Sequence, residues 1–113
     1  MATEWSDDIT ICDLTDEPQL SDDLNEVNTR IQNAGPAGTP HVILNFAGVT
    51  YLNSSNLAQL LRLRHAVQEA ERNLTLCAIA DPVWSILLLT GLDKVFTFAP
   101  DKATAIAMNQ VDD

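Results

Sequence analysis

A strand, a turn and the start of a helix are predicted by one segment, Val42-Ile-Leu-Asn-Phe-Ala-Gly-Val-Thr-Tyr-Leu-Asn-Ser-Ser-Asn-Leu57. Its first residues are apolar and β-prone, which is typical of a short strand covered on both faces. Gly48 then interrupts the run. From residue 57 onward the apolar side chains recur at helical spacing, at Leu57, Leu60, Leu61, Val67 and Ala70. This change of period predicts a helix that begins near the two serines.

Ser54 and Ser55 stand where the first turn of that helix is expected. A serine hydroxyl can accept a hydrogen bond from a free amide of the first turn, so one of the two is predicted to be the N-cap. The same helix end tolerates an anion, because its N–H groups are unpaired and carry partial positive charge. Two interpretations of Ser54 therefore stay open: a helix cap alone, or a hydroxyl offered to a kinase.

Strand and helix patterns alternate along the rest of the chain. The predicted order is a hairpin over residues 2–5 and 9–14, a helix carrying Leu20, Leu24, Val27 and Ile31, a flexible loop over 33–40, a strand at 41–45, the helix from Ser54 to about Arg72, a strand at 74–79, a helix from Asp81, a strand at 95–98 and a helix over 100–108. Such alternation implies crossovers and a largely parallel sheet. We expect an α/β fold with about four helices, edged by the hairpin, in a single domain over residues 1–113.

The helix from Asp81 has clear signals at both ends. Asp81 is expected to be the N-cap with Pro82 at the first helical position, and Gly91 is placed to end the helix. The side chains expected to face the core are Val83, Trp84, Leu87 and Leu88.

The chain is strongly acidic, with 16 Asp and Glu against 6 Lys and Arg and a net charge of −10. Nucleic acids and anionic membranes are bound by clustered Lys and Arg, so this composition argues against both as partners. The acidic residues serve solubility, or alternatively face a basic protein partner. The start has no signal-peptide pattern, and the apolar run at residues 85–91 is far shorter than the ~20 residues that span a bilayer. We expect a soluble, cytoplasmic protein.

No residue pattern indicates a metal or a cofactor. Cys12 and Cys77 fall in predicted strands without metal-ligand spacing, as buried reduced thiols do. His41 and His65 have no partner at ligand spacing. Since the Gly-x-Ser-x-Gly signature is also absent, a hydrolase that uses Ser54 is disfavoured, and we expect no enzymatic activity.

The order of these blocks resembles the STAS domain, most closely that of the bacterial anti-sigma factor antagonists. Three segments carry the resemblance over roughly the last two-thirds of the chain: residues 42–57, Leu74-Thr-Leu-Cys-Ala-Ile79 and Val83-Trp-Ser-Ile-Leu-Leu-Leu-Thr-Gly-Leu-Asp-Lys-Val-Phe96. The resemblance implies a STAS-like mixed, mostly parallel sheet with the N-terminal hairpin at its edge.

In that family the turn usually reads Asp-Ser-Ser/Thr-Gly, and its first hydroxyl is phosphorylated by a kinase that doubles as the anti-sigma factor. Ser54 matches the phosphoacceptor and Ser55 the second hydroxyl, whereas Asn53 replaces Asp and Asn56 replaces Gly. The family's Gly-Asp/Glu-Leu-Asp segment has only a shorter counterpart at residues 15–18, to which no role is assigned.

The resemblance implies partner switching. The unphosphorylated surface around Ser54 would bind the kinase and free its sigma factor, and phosphorylation would add about −1.5 to −2 charges to that surface. Candidate partner contacts are an apolar patch of Leu57 and Leu92, together with Trp5 if it is exposed.

An alternative is favoured by Asn53 and Asn56: a STAS subunit that is not phosphorylated, in a lipid-transport ABC complex or a signalling scaffold. Monomer and dimer both stay open.

Overall fold

A computed structural model of the chain describes residues 2–4 and 8–111, and the side chains of residues 8–109. Its elements are β1 (Ala2–Glu4), β2 (Ile9–Thr15), α1 (Gln19–Gly38), β3 (His41–Gly48), α2 (Ser54–Glu69), β4 (Leu74–Cys77), α3 (Asp81–Thr90), a short 3-10 helix (Leu92–Lys94), β5 (Thr97–Ala99) and α4 (Lys102–Val111). The alternation of strands and helices confirms the expected α/β class.

The strands form one sheet in the order β1-β2-β3-β4-β5. β1 pairs antiparallel with β2, and every later strand pairs parallel with the strand before it. Because right-handed crossovers that step repeatedly in one direction return on the same side of a sheet, α1, α2 and α3 share one face. The strand pairing confirms the expected mostly parallel sheet with an antiparallel strand at its edge. Trp5 and most of the expected hairpin turn lie outside the described residues.

Buried side chains line both faces of the sheet. The larger cluster, which includes Leu44 and Phe46, lies under the three crossover helices, and a smaller one around Ile43 lies under α4. Burying one such side chain stabilises the fold by about 1.5–3 kcal/mol. Cys12 and Cys77 are buried thiols that form no disulfide with each other, as expected. Burial, reinforced by the negative charge of Asp101, raises the pKa of Cys77 to about 11.

The prediction of a flexible loop over residues 33–40 is wrong for residues 33–38, which belong to α1. Helical structure resumes after one break at Gly35, whose φ of 71° and ψ of 170° are not helical. Glycine adopts a positive φ without steric cost, and proline is suited to the first turn of a helix. Gly35 and Pro36 therefore end one helical segment and start the next, and Thr39 Oγ1 closes the end by donating to Gly35 O at 2.8 Å.

The ends of other elements also differ from the expectation. α2 stops at Glu69 rather than near Arg72, β4 stops at Cys77 and β5 starts at Thr97. Ala78, with a φ of 57°, turns the chain away from the sheet directly after β4. These shifts shorten elements without changing their order.

α3 ends at Gly91 as predicted, with a left-handed φ of 76°, but its N-cap is Ala80 rather than Asp81. The side of α3 that faces the core also differs from the prediction. Val83 and Leu87 are buried as expected, whereas Leu88 is 51% exposed. Val83 and Leu87 are four residues apart and line one narrow stripe, and Leu88 turns away from it. Within the described residues, no helix is both long and apolar enough to span a membrane.

Candidate functional site

Asn53 caps the amino terminus of α2. Its side-chain oxygen accepts from Asn56 N at 2.8 Å, and its backbone N–H donates to Asn56 Oδ1 at 3.0 Å. This reciprocal pair is a capping box. The prediction of Ser54 or Ser55 as the N-cap is therefore wrong. Asparagine caps as well as serine does, and here it stands one residue earlier in an extended conformation.

Ser54 and Ser55 are the first two residues of α2, and both are exposed. Within the described structure neither hydroxyl makes a hydrogen bond. The capping box occupies the amides of Asn53 and Asn56, and Leu57 N donates to Asn53 O at 3.1 Å. The amides of the two serines are therefore the donors of the first turn that stay open to an anion. The expected placement of the Ser54 hydroxyl at a solvent-open helix end is confirmed.

Two carboxylates, Asp16 and Glu17, reach this turn from the end of β2; we call them the acidic pair. β2 and β3 are parallel neighbours, so the segments that follow them leave the same edge of the sheet. Asp16 accepts from Thr50 N and Thr50 Oγ1, each at 2.8 Å. Glu17 accepts from Ser21 N at 2.6 Å and from Asn53 Nδ2 at 3.4 Å. The turn that carries Ser54 is thus edged by negative charge.

Hydrogen bonds keep the acidic pair ionised. The Thr50 amide and hydroxyl hold the pKa of Asp16 below its ordinary value. The Ser21 hydroxyl and amide do the same for the pKa of Glu17. Residues 15–18 have no role that the sequence alone predicts. The sequence signal for the acidic pair was its position directly after a predicted strand. The structure adds that this strand pairs parallel with β3.

Asn56 points into the protein rather than toward a partner. Its side chain is fully buried, and its Nδ2 donates to Ser21 Oγ and Gln59 Oε1, each at 3.4 Å. Gln59 Nε2 donates to Ser21 O at 3.0 Å, and Asn28 Nδ2 donates to Gln59 O at 3.2 Å. The residue that replaces the family's glycine therefore joins α2 to α1 and adds no bulk to the exposed surface.

The two leucines that were predicted to contact a partner are only partly accessible to one. Leu57 and Leu92 are half-buried and pack against the larger core cluster. Larger exposed apolar surface comes from Tyr51, which is 62% exposed and precedes Ser54 by three residues, and from Leu88 and Leu89 on α3. The sequence signal for Tyr51 was an aromatic residue within the turn itself.

A metal site or an activated serine would need particular side chains close together. Among the described residues, no cluster of His, Cys, Asp and Glu could hold a metal ion. His41 Nδ1 accepts from Asn73 N at 3.0 Å, and the exposed His65 lies 3.4 Å from Glu69. Since neither histidine bonds to Ser54, the turn shows no activated serine of the kind a hydrolase needs.

Comparisons with known proteins agree with this architecture. The sequence profile of the STAS domain matches residues 7–105. The structure is similar to an anti-sigma-factor antagonist (STAS) domain protein from Planctomyces limnophilus, with a TM-score of 0.80, 18% identity, and coverage of 96% of this chain and 97% of that chain.

Two further structures share the fold. One is the Bacillus cell fate determinant SpoIIAA in its phosphorylated form, with a TM-score of 0.65, 15% identity and 97% of each chain covered. The other is a sulfate transporter family protein from Wolinella succinogenes, with a TM-score of 0.68, 15% identity, and 91% of this chain and 85% of that chain covered.

Proposed function

Since this chain belongs to the STAS domain family, we propose that it is an anti-sigma factor antagonist, a cytoplasmic single-domain binding module that performs no catalysis. Its partner is a serine protein kinase that also acts as the anti-sigma factor. Phosphorylation of Ser54 by that kinase switches the binding off. The observation that supports this proposal is the Ser54 hydroxyl, exposed and without a hydrogen bond on the first residue of α2.

In the unphosphorylated state the partner contacts the turn and the apolar side chains around it. Tyr51 supplies the largest exposed area next to Ser54, and Leu57 and Leu92 add half-buried edges. An aromatic side chain of this kind buries a large area at little conformational cost, so Tyr51 is the expected anchor. The acidic pair complements basic residues on the partner.

Phosphorylation changes the charge of this surface without disturbing the fold. A phosphate on Ser54 lies at a helix amino terminus, where the open amides of Ser54 and Ser55 can donate to it and an anion is favoured by about 0.3–1 kcal/mol. The same group adds about −1.5 to −2 charges beside Asp16 and Glu17. A docked partner would have to desolvate or oppose that charge, so its affinity falls.

The test is incubation with the cognate serine kinase and ATP. We expect the mass of one added phosphate, its loss in Ser54→Ala, and its retention in the matched control Ser55→Ala. The phosphorylated protein should keep the thermal midpoint of the unmodified protein but bind the kinase much more weakly. An unchanged mass with an active kinase would contradict the proposal, as would phosphate that persists in Ser54→Ala.

A second candidate function is a constitutive STAS subunit of a lipid-transport ABC complex or a signalling scaffold. Asn53 and Asn56 favour it, because a neutral capping box satisfies the turn without the family's Asp and Gly. Its test is co-purification: a complex with an ABC permease that is indifferent to Ser54→Asp would support it. Recovery of a serine kinase that Ser54→Asp releases would exclude it.

A further inference from the structure

A concave site lies at the edge of the sheet opposite Ser54. Leu74 and Thr97, the first residues of β4 and β5, line it, whereas Ser54 follows the carboxyl end of β3. The cavity has a volume of about 60 Å³. One water molecule needs only about 10–15 Å³ by the same measure, so there is room for a group of several heavy atoms.

Two arginines line this cavity, one from within α2 and one from the turn that follows it. Arg64 lies on α2, and Arg72 follows a turn in which Glu71 adopts a φ of 58°. Glu71 N donates to Gln68 O at 2.9 Å, and Arg72 N donates to Val67 O at 3.0 Å. This is the Schellman arrangement, which reverses the chain at a helix end. It returns Arg72 to the cavity that Arg64 and Gln68 also line.

Each guanidinium is held in place by its Nε group. Arg64 Nε donates to Val95 O at 3.0 Å, and Arg72 Nε donates to Thr39 O at 3.1 Å. An arginine has five N–H donors, so these bonds orient the planar fork and leave its outer donors available. Both side chains are partly shielded from solvent, which strengthens their interaction with an anion.

Neither arginine forms an ion pair with a described carboxylate. Among the described side chains, ion pairs join His65 to Glu69 and Lys102 to Asp13, and neither Arg64 nor Arg72 has an acidic partner within 4.0 Å. The chain has 16 acidic residues for only 6 Lys and Arg. The backbone carbonyls that Arg64 and Arg72 bind are neutral, so the positive charge that the two arginines bring to the cavity has no acidic partner within 4.0 Å among the described side chains.

We propose that this cavity binds a tetrahedral oxyanion of the phosphate type. Guanidinium forks match the oxygen spacing of phosphate and bind it through paired, charge-assisted hydrogen bonds. Gln68 lines the same cavity and adds a neutral amide. The site is independent of the Ser54 turn, so it supplies a second input to the domain.

The test is titration with inorganic phosphate at constant ionic strength, followed by the amide resonances of Leu74 and Thr97. We expect saturable shifts there, and at least tenfold weaker binding in Arg64→Gln and in Arg72→Gln. Arg62→Gln is the matched control, because Arg62 is an exposed residue of α2 that does not line the cavity. It should bind phosphate as the unaltered protein does, and so should Ser54→Ala.

The unaltered protein supplies a second measurement that depends on no variant. Sulfate should compete with phosphate for the same amides, and chloride at equal ionic strength should not. Tighter binding of glycerol phosphate than of inorganic phosphate would assign the anion to a larger ligand, and weaker binding would assign it to the free ion. The absence of saturable shifts at Leu74 and Thr97 would overturn the proposal, as would equal weakening in Arg62→Gln.

Discussion

The backbone N–H groups of Asn53 and Asn56 each donate to the side-chain oxygen of the other residue, at 3.0 and 2.8 Å. The two departures from the family's Asp-Ser-Ser/Thr-Gly pattern are therefore physically coupled. Aspartate at residue 53 would keep the acceptor for Asn56 N. Glycine at residue 56 would remove the acceptor for Asn53 N, together with the fully buried amide that bonds to α1.

We predict that Asn53→Asp changes the free energy of unfolding by less than about 1 kcal/mol, because the cap acceptor is kept and the anion favoured at a helix start offsets the repulsion from Glu17. Asn56→Gly should lower it by about 2 kcal/mol. The loss combines a broken capping bond with the low helix propensity of glycine, each about 1 kcal/mol. Urea denaturation measures both values. Ser55→Gly is the control, since it places glycine in the same turn at an exposed residue. Equal losses in Ser55→Gly and Asn56→Gly would show that the capping box contributes nothing.

The acidic pair should make stability fall on acidification. Hydrogen bonds lower the pKa of Asp16 and Glu17 below their ordinary values of 3.8 and 4.5. The folded protein therefore binds these protons less readily than the unfolded chain, and their stabilisation is present above the ordinary values. It is lost as the pH falls through the lower folded values.

Denaturation followed as the pH falls through and below those ordinary values should thus show a shallower loss of stability with acid for Glu17→Gln than for the unaltered protein. Glu26→Gln removes the same charge from an exposed residue of α1 and should keep the steeper slope. Identical slopes in the two variants would assign the effect to net charge.

Gly48 permits the close approach of β3 to β2. A Cβ at this position would lie 2.8 Å from Leu14 O, beside the register shift between Asp13 and Thr15. Gly48→Ala should therefore lower the free energy of unfolding by about 1–3 kcal/mol. In Gly38→Ala the nearest atom to the new Cβ is 3.6 Å away, an ordinary contact, so this control should be neutral or stabilising by about 0.4–1 kcal/mol. A neutral Gly48→Ala would mean that the strands separate at little cost.

Glu71 has a positive φ that side-chain-bearing residues adopt at a cost of about 1–2 kcal/mol. Glu71→Gly removes that cost while keeping the turn, so we predict an increase of about 1 kcal/mol in the free energy of unfolding. Glu69→Gly, at the last residue of α2, should lower it instead. Thermal and urea denaturation of the two variants give the comparison, and a loss of stability in Glu71→Gly would contradict the assigned turn.

The order of elements and the exposure of Ser54 were both predictable, because each depends on local signals: hydrophobic period, glycine and proline positions, and a helix start. The N-cap was not predictable by the same means. Serine and asparagine cap almost equally well, and Asn53 is selected because Asn56 reaches back to it. Asn56 is in turn buried against Ser21, 35 residues away in the chain.

The role of the acidic pair depended on tertiary structure in the same way. Asp16 bonds to Thr50, 34 residues later, because β2 and β3 are parallel neighbours. Leu88 was misplaced because an apolar run at residues 86–89 does not by itself show which face of a helix meets the sheet. Gly35 and Pro36 are strong signals for a break, and they do not show whether a helix resumes after it.

Helix α1 holds the turn of Ser54 before any partner arrives. Ser21 and Asn28 bond to Asn56 and Gln59, so the first two turns of α2 are tied to a neighbouring helix. The backbone at the turn has therefore already lost its conformational entropy during folding, and a docking protein gives up little binding free energy to order it. A substitution on α1 that frees this backbone would weaken a complex at Ser54 without touching the partner.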